Sequence, residues 1–171
     1  ITNSGNRPTI AWWIFWNALS VLRTTSLRIS DATDLSFDGD YTLEYYVKSN
    51  SITNWDNFLS SYIIWGTSQL LLRYWSVFKV VYFTPDYTEF TTSVNFSSWR
   101  HFALTRESWN IKLFIDWNQV WSSSSPYTGV TWLGYLDFWK FTWLMDEFRI
   151  TKWVARYTSN FTVPTEAFPN Q

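Results

Sequence analysis

Two acidic residues, Asp146 and Glu147, stand side by side in the run Met145-Asp-Glu-Phe-Arg-Ile150. Two carboxyls can act as acid and nucleophile on a glycosidic bond when they lie about 5–5.5 Å apart across it. Neighbouring residues of a strand point to opposite faces of the sheet, so on a strand these two cannot form that pair. The expectation is a structural role, with Glu147 or Arg149 pairing to neighbours on its own sheet face. His101 is the only histidine. It cannot anchor a multi-histidine metal site, and no G-x-S-x-G run accompanies it to complete a serine triad. Neither glycine-rich phosphate-binding pattern occurs. No catalytic residue is assigned, and the chain is expected not to be an enzyme.

Oxygen donors cluster in two places. Asp38-Gly39-Asp40 and Asn54-Trp55-Asp56-Asn57 supply the hard ligands that calcium prefers. Asp38, Asp40 and Asp56 are the candidate calcium ligands, although Asp and Asn also serve simply to make turns and cap strand ends. Asn54 and Asn57, with the loop tyrosines Tyr87 and Tyr127, are the candidate ligand contacts, since a phenol offers an apolar face and a polar tip together. Asn95-Phe-Ser97 and Asn160-Phe-Thr162 fit the glycosylation sequon and read equally well as turns.

Composition narrows the class. A formal net charge of -1 over 171 residues argues against a nucleic-acid partner. Cysteine is absent, which removes disulfides, thiolate zinc sites and thiol catalysis together. No apolar run reaches the ~18 residues that a membrane-spanning helix needs, so membrane insertion is not expected. Only 16% of the residues are charged, a balance that suits exported β-proteins.

The elements that must position these groups are strands. Tyr41-Thr-Leu-Glu-Tyr-Tyr-Val-Lys48 sets Tyr41, Leu43, Tyr45 and Val47 on one face and Thr42, Glu44 and Lys48 on the other. Period two with aromatic and β-branched residues marks a half-buried strand. Residues 57–64, 70–74, 77–83, 100–106, 111–115, 133–138 and 144–151 follow as further strands. Asp116-Trp117-Asn118 reads as a tight turn, and Ser122 to Pro126 as a loop. Residues 1–14 read as a lead-in segment, and Val154 to Tyr157 as one short helical turn. Many short strands without sustained 3.6 periodicity predict a single all-β domain over 1–171, a two-sheet antiparallel sandwich.

Three stretches carry a resemblance. They are Trp99-Arg-His-Phe-Ala-Leu-Thr-Arg106, Lys112-Leu-Phe-Ile-Asp116, and Met145-Asp-Glu-Phe-Arg-Ile-Thr-Lys152 with its continuation Ala155-Arg-Tyr-Thr158, Asn160-Phe-Thr162 and Pro164-Thr165. Together with Tyr41 to Lys48 they resemble the laminin G-like jelly-roll domains of the concanavalin A-like lectin/glucanase superfamily. The resemblance covers most of residues 15–168. It implies a concanavalin A-like jelly roll whose tail, 153–171, packs on the sandwich. It also implies a lectin-like adhesion module, extracellular, on a cell surface or a virion, with calcium at a loop rim and a glycan or surface protein as partner. Assembly into a homo-oligomer or a larger particle, as a phage structural protein, is the alternative. Enzymes on this fold resemble one another in an E-x-D-x-E strand, and that motif is missing here.

The departures from the family are systematic. Trp117 follows Asp116 where the family has glycine, Trp153 precedes Val154-Ala-Arg156 where it has glycine, and Phe15-Trp16-Asn-Ala-Leu19 resembles its F-G-x-A-L. Trp109, Trp121, Trp132, Trp139 and Trp143 also fall at or near glycine places, whereas Trp99 matches a family tryptophan. The chain holds 14 Trp and 5 Gly, against an average glycine usage of about 7%. The expectation is that the tryptophans other than Trp99 stand for glycines, through UGA codons decoded as glycine. Trp117 and Trp153 should then lie at tight turns with exposed indoles, and Trp99 should be buried.

Overall fold

The computed structural model describes residues 2–4, 9–11, 18–21, 26–30, 39–51, 56–63, 68–75, 77–82, 88–124, 133–139, 142–162 and 166–168. Every regular element among them is a strand. In chain order these are β1 Thr2–Ser4, β2 Thr9–Ala11, β3 Ala18–Val21, β4 Ser26–Ser30, β5 Tyr41–Ser51, β6 Asp56–Ile63 and β7 Ser68–Trp75. They continue as β8 Val77–Tyr82, β9 Thr88–Thr92, β10 Arg100–Glu107, β11 Asn110–Ile115, β12 Asn118–Ser124, β13 Leu133–Trp139 and β14 Thr142–Lys152.

The strands form two seven-stranded antiparallel sheets. One runs β1-β4-β13-β6-β7-β8-β9 and the other β12-β11-β10-β5-β14-β3-β2. Each sheet mixes early and late strands, so the sandwich closes only when both ends of the chain are in place. The predicted two-sheet antiparallel sandwich is the observed fold.

The alternation along β5 decides which face is core. Tyr41, Leu43, Tyr45 and Val47 are buried between the sheets with Phe102, Leu104, Leu113, Leu136 and Phe138. Leu104 sits opposite Leu43 on β5 and Leu113 on β11, so three leucines from three strands share one layer. Ile115, Phe148 and Ile150 are partly buried at the margin of this cluster. Tyr45 stacks on Phe102 with centroids 5.1 Å apart, and Phe148 meets the Phe138 ring edge-on at 5.0 Å.

Several expectations need correction. Ser122 to Ser124 belong to β12, pairing with Lys112, Ile111 and Asn110. Serine is accepted there because β12 is an edge strand whose side chains largely face water. Residues of the lead-in segment contribute β1 and β2, paired antiparallel with β4 and β3. Val154 to Tyr157 form no helical turn, because their backbone is held down on the sheet. Trp99 is half-buried, since it precedes Arg100, the first paired residue of β10. Trp143 lies in the core at 3% exposure, with Phe138 at 5.9 Å, and its packing asks nothing of a glycine.

Candidate functional site

Two regions gather polar groups. The first is the outer face of the β5–β10–β14 sheet. The residues of β5 that alternate away from the core, Thr42, Glu44 and Tyr46, are nonetheless buried, because the chain after β14 folds back across them. Thr42 Oγ1 donates to the Val154 carbonyl at 2.9 Å, and Thr105 Oγ1 to the Tyr157 carbonyl at 2.9 Å. Lys112 Nζ donates to the Thr158 carbonyl at 2.7 Å. The aromatics of this tail fill the space above the sheet. Tyr157 and Phe161 stack at 3.6 Å, Phe161 meets Phe114 at 5.5 Å, and the Arg149 guanidinium lies 3.7 Å over the Phe168 ring.

Glu44 is the hub of this layer. Its side chain is fully buried, and Oε1 accepts from Arg149 Nε at 2.9 Å and Nη2 at 2.7 Å. Oε2 accepts the Tyr157 hydroxyl at 2.7 Å, and His101 Nε2 lies 3.4 Å away. Burial pushes the carboxyl pKa up, but contacts with His101, Tyr157 and Arg149 outweigh it and hold the pKa below its ordinary value. Burial and the Glu44 charge push the Tyr157 phenol well above its ordinary range, so it remains a donor. A buried carboxylate held ionised by these contacts clamps β5 to β14 and to the tail.

Asp146 and Glu147 do not form a catalytic pair. The ladder to β5 slips between Asp146 and Arg149, and Glu147 takes φ 51° in this bulge. Glu147 N–H donates to Asp146 Oδ1 at 2.9 Å, while Glu147 Oε2 accepts the Phe168 N–H at 2.5 Å. Both carboxyls thus hold backbone in place, and Arg149 pairs with Glu44 on its own sheet face as expected.

The second region is the rim where β5 begins. Asp40 Oδ1 accepts the Ser108 N–H of the β10–β11 turn at 2.6 Å, and its carbonyl accepts the Trp153 N–H at 2.6 Å. Arg106 Nη1 donates to the Gly39 carbonyl at 2.8 Å. Asp40 therefore staples the start of β5, the β10–β11 turn and the exit of β14 into one edge. Trp109, Trp153 and Val154 are exposed on it, the two indoles at 58% and 62%.

Of the candidate calcium ligands, Asp40 is at this rim and Asp56 opens β6. Asp40 precedes the first residue of β5, whereas Asp56 follows the last by five positions. The eleven residues of β5, which span about 33 Å at ~3.3 Å per residue, separate the two along the chain. Asp38, Asn54, Tyr87 and Tyr127 fall outside the described residues, and Asp56 and Asn57 are described by backbone alone. Of the sequons, Asn95 caps its own turn, its Oδ1 accepting the Ser97 N–H at 2.9 Å. Asn160 Oδ1 accepts the Gln119 N–H at 2.9 Å at the start of β12.

The Glu44 clamp was not anticipated. The only local signal is a mid-strand glutamate beside Tyr46, on a face that the alternation assigns to water, with aromatic residues recurring in the tail at 157, 161 and 168.

Known structures share this architecture. Domain 4 of AbnA, an extracellular GH43 arabinanase from Geobacillus stearothermophilus solved with arabinotriose, superposes with a TM-score of 0.66 at 16% identity, covering 88% of this chain and 81% of that one. The binding domain of botulinum neurotoxin DC, solved with rat synaptotagmin II, gives 0.67 at 11% identity over 87% of this chain and 42% of that one. A botulinum neurotoxin type C structure, whose cell entry depends on two ganglioside molecules, gives 0.69 at 9% identity with the same coverage. The chain thus spans less than half of the toxin chains it matches. No family model matches the sequence, and no curated protein matches it either. At identities this low the likeness shows the fold alone, a jelly-roll β-sandwich.

Proposed function

We propose that this chain is a non-catalytic, lectin-like binding module of a cell surface or virion, which recognises a glycan or a surface protein through the loops of the Asp40 rim. The observation that carries the reading is the contrast between the two polar regions. The carboxylates of the sheet face, Glu44, Asp146 and Glu147, are engaged internally beneath or against the tail. The rim presents exposed side chains to solvent around the half-buried Asp40, whose carboxylate accepts the Ser108 N–H and leaves its second oxygen without a hydrogen bond to the described residues. The structural neighbours support this use of the fold, since their structures are described with arabinotriose, gangliosides and synaptotagmin II. Calcium bound by Asp40 together with Asp38 would belong to the same rim.

A glycan array, read with calcium and again with a chelator, tests the proposal. Retention of one glycan class supports it, and loss of that signal on chelation places calcium at the site. A second reading, a subunit of an appendage or phage particle, draws on β12. This edge strand, Asn118-Gln-Val-Trp-Ser-Ser-Ser124, carries no charge or proline to discourage strand pairing. An empty array together with concentration-dependent assembly in sedimentation would favour that reading instead. Polysaccharide hydrolysis abolished by Glu147→Gln would contradict both.

A further inference from the structure

Among the described residues, five that are not glycine have positive φ: Ser108 at 54°, Asp116 at 46°, Trp117 at 70°, Glu147 at 51° and Trp153 at 65°. Short polar residues such as Asp and Ser enter this region at modest cost, whereas a bulky side chain there is an outlier. Glu147 is bulky but compensated, because its N–H and its carboxylate are both bonded. The two tryptophans instead hold large apolar side chains in this region with much of the indole in water. Trp117 is 48% exposed and Trp153 is 62% exposed.

Nor can their backbones relax. The Trp117 carbonyl accepts the Phe161 N–H at 3.3 Å, and the Trp153 N–H donates to the Asp40 carbonyl at 2.6 Å. Asp116 and Trp117 also form a two-residue hairpin turn with both φ positive, the geometry for which Asp-Gly is a preferred pair. At 153 the indole lies flat on Gly39. A Cβ there would fall 2.5 and 2.6 Å from two of its ring carbons, so the contact is with bare backbone.

We infer that positions 117 and 153 are glycine in the protein as its own cell makes it. The tryptophans then represent UGA codons, which differ from the glycine codon GGA only in the first base and from the tryptophan codon UGG only in the third. This deepens the proposed function on which it bears. With glycine at 153 the rim around Gly39, Asp40 and Ser108 loses its indole, and a ligand there meets backbone and oxygen donors in place of that aromatic platform.

The gene sequence and the protein isolated from its own cells provide the test, which is independent of any ligand. Codons 117 and 153 are expected to be UGA, and codon 99 UGG. Peptide mass spectrometry should find glycine at 117 in the tryptic peptide 113–140 and at 153 in 153–156. UGG at 117 and 153, or tryptophan in those peptides, would overturn the inference. In protein made from a synthetic gene, Trp117→Gly and Trp153→Gly should each raise Tm by about 2–4 °C. A fall in Tm with both would count equally against it.

Discussion

Glu44 shows how a single side chain can close a molecule. Its carboxylate joins β5 to Arg149 of β14 and Tyr157 of the tail, so losing the charge unfastens three parts of the chain together. Glu44→Gln should cost about 3–5 kcal/mol, the range for breaking a buried pair and leaving its cation uncompensated, read as a shift in the urea midpoint at pH 7. Tyr157→Phe removes one hydrogen bond to a charged acceptor and should cost about 1.5–3 kcal/mol. The pH dependence follows from the direction of the Glu44 pKa. The folded value lies below the ordinary one, so the folded state binds the proton less readily than the unfolded chain. The stabilisation is therefore complete above the ordinary carboxylate range and is lost as pH falls through the depressed value. Denaturation midpoints measured from pH 7 down to about pH 3 should fall in the wild type, and the Glu44→Gln variant should show a shallower fall. None of this was legible locally. Alternation assigns Glu44 to the solvent face, and the tail that buries it lies more than a hundred positions further along the chain.

At the scale of elements, the sequence was informative wherever one face of a strand is apolar. The 41–48, 100–106 and 111–115 runs became β5, β10 and β11, with Tyr41, Leu43, Tyr45 and Val47 buried on the apolar face of the first. It was uninformative where a strand is short or lacks an apolar alternation, as in the three serines that end β12 and in the three-residue β1 and β2. Leu104 tests the layer it builds with Leu43 and Leu113. Leu104→Ala should destabilise by about 2–5 kcal/mol in chemical denaturation, whereas Ile115→Ala, at the partly buried margin, should lie near the lower end of that range. Equal losses at the two positions would show that the core is not centred on the Leu43 layer. The turns were half legible. Asp116-Trp117-Asn118 was recognised as a turn, while Trp143, grouped with the glycine-like positions, is a packed core residue.

At the scale of the whole molecule, the sandwich brings the predicted site residues only partly together. Asp40 is tied into one rim with the β10–β11 turn and Trp153, and Asp56 opens β6, a strand of the other sheet. A pattern of oxygen donors in sequence cannot reveal at which end of a strand each will lie until the pairing is known. The division into a sealed sheet face and an open rim is the basis of the functional reading. The measurement that tests it most directly is amide hydrogen exchange on the protein with and without the glycan retained on the array, combined with analysis of that glycan for cleavage. Added protection confined to residues 39–40, 107–110 and 152–154, with the glycan recovered intact, is the predicted result. Protection centred on the Glu44 face and the tail at 157–168, together with cleaved glycan, would contradict it.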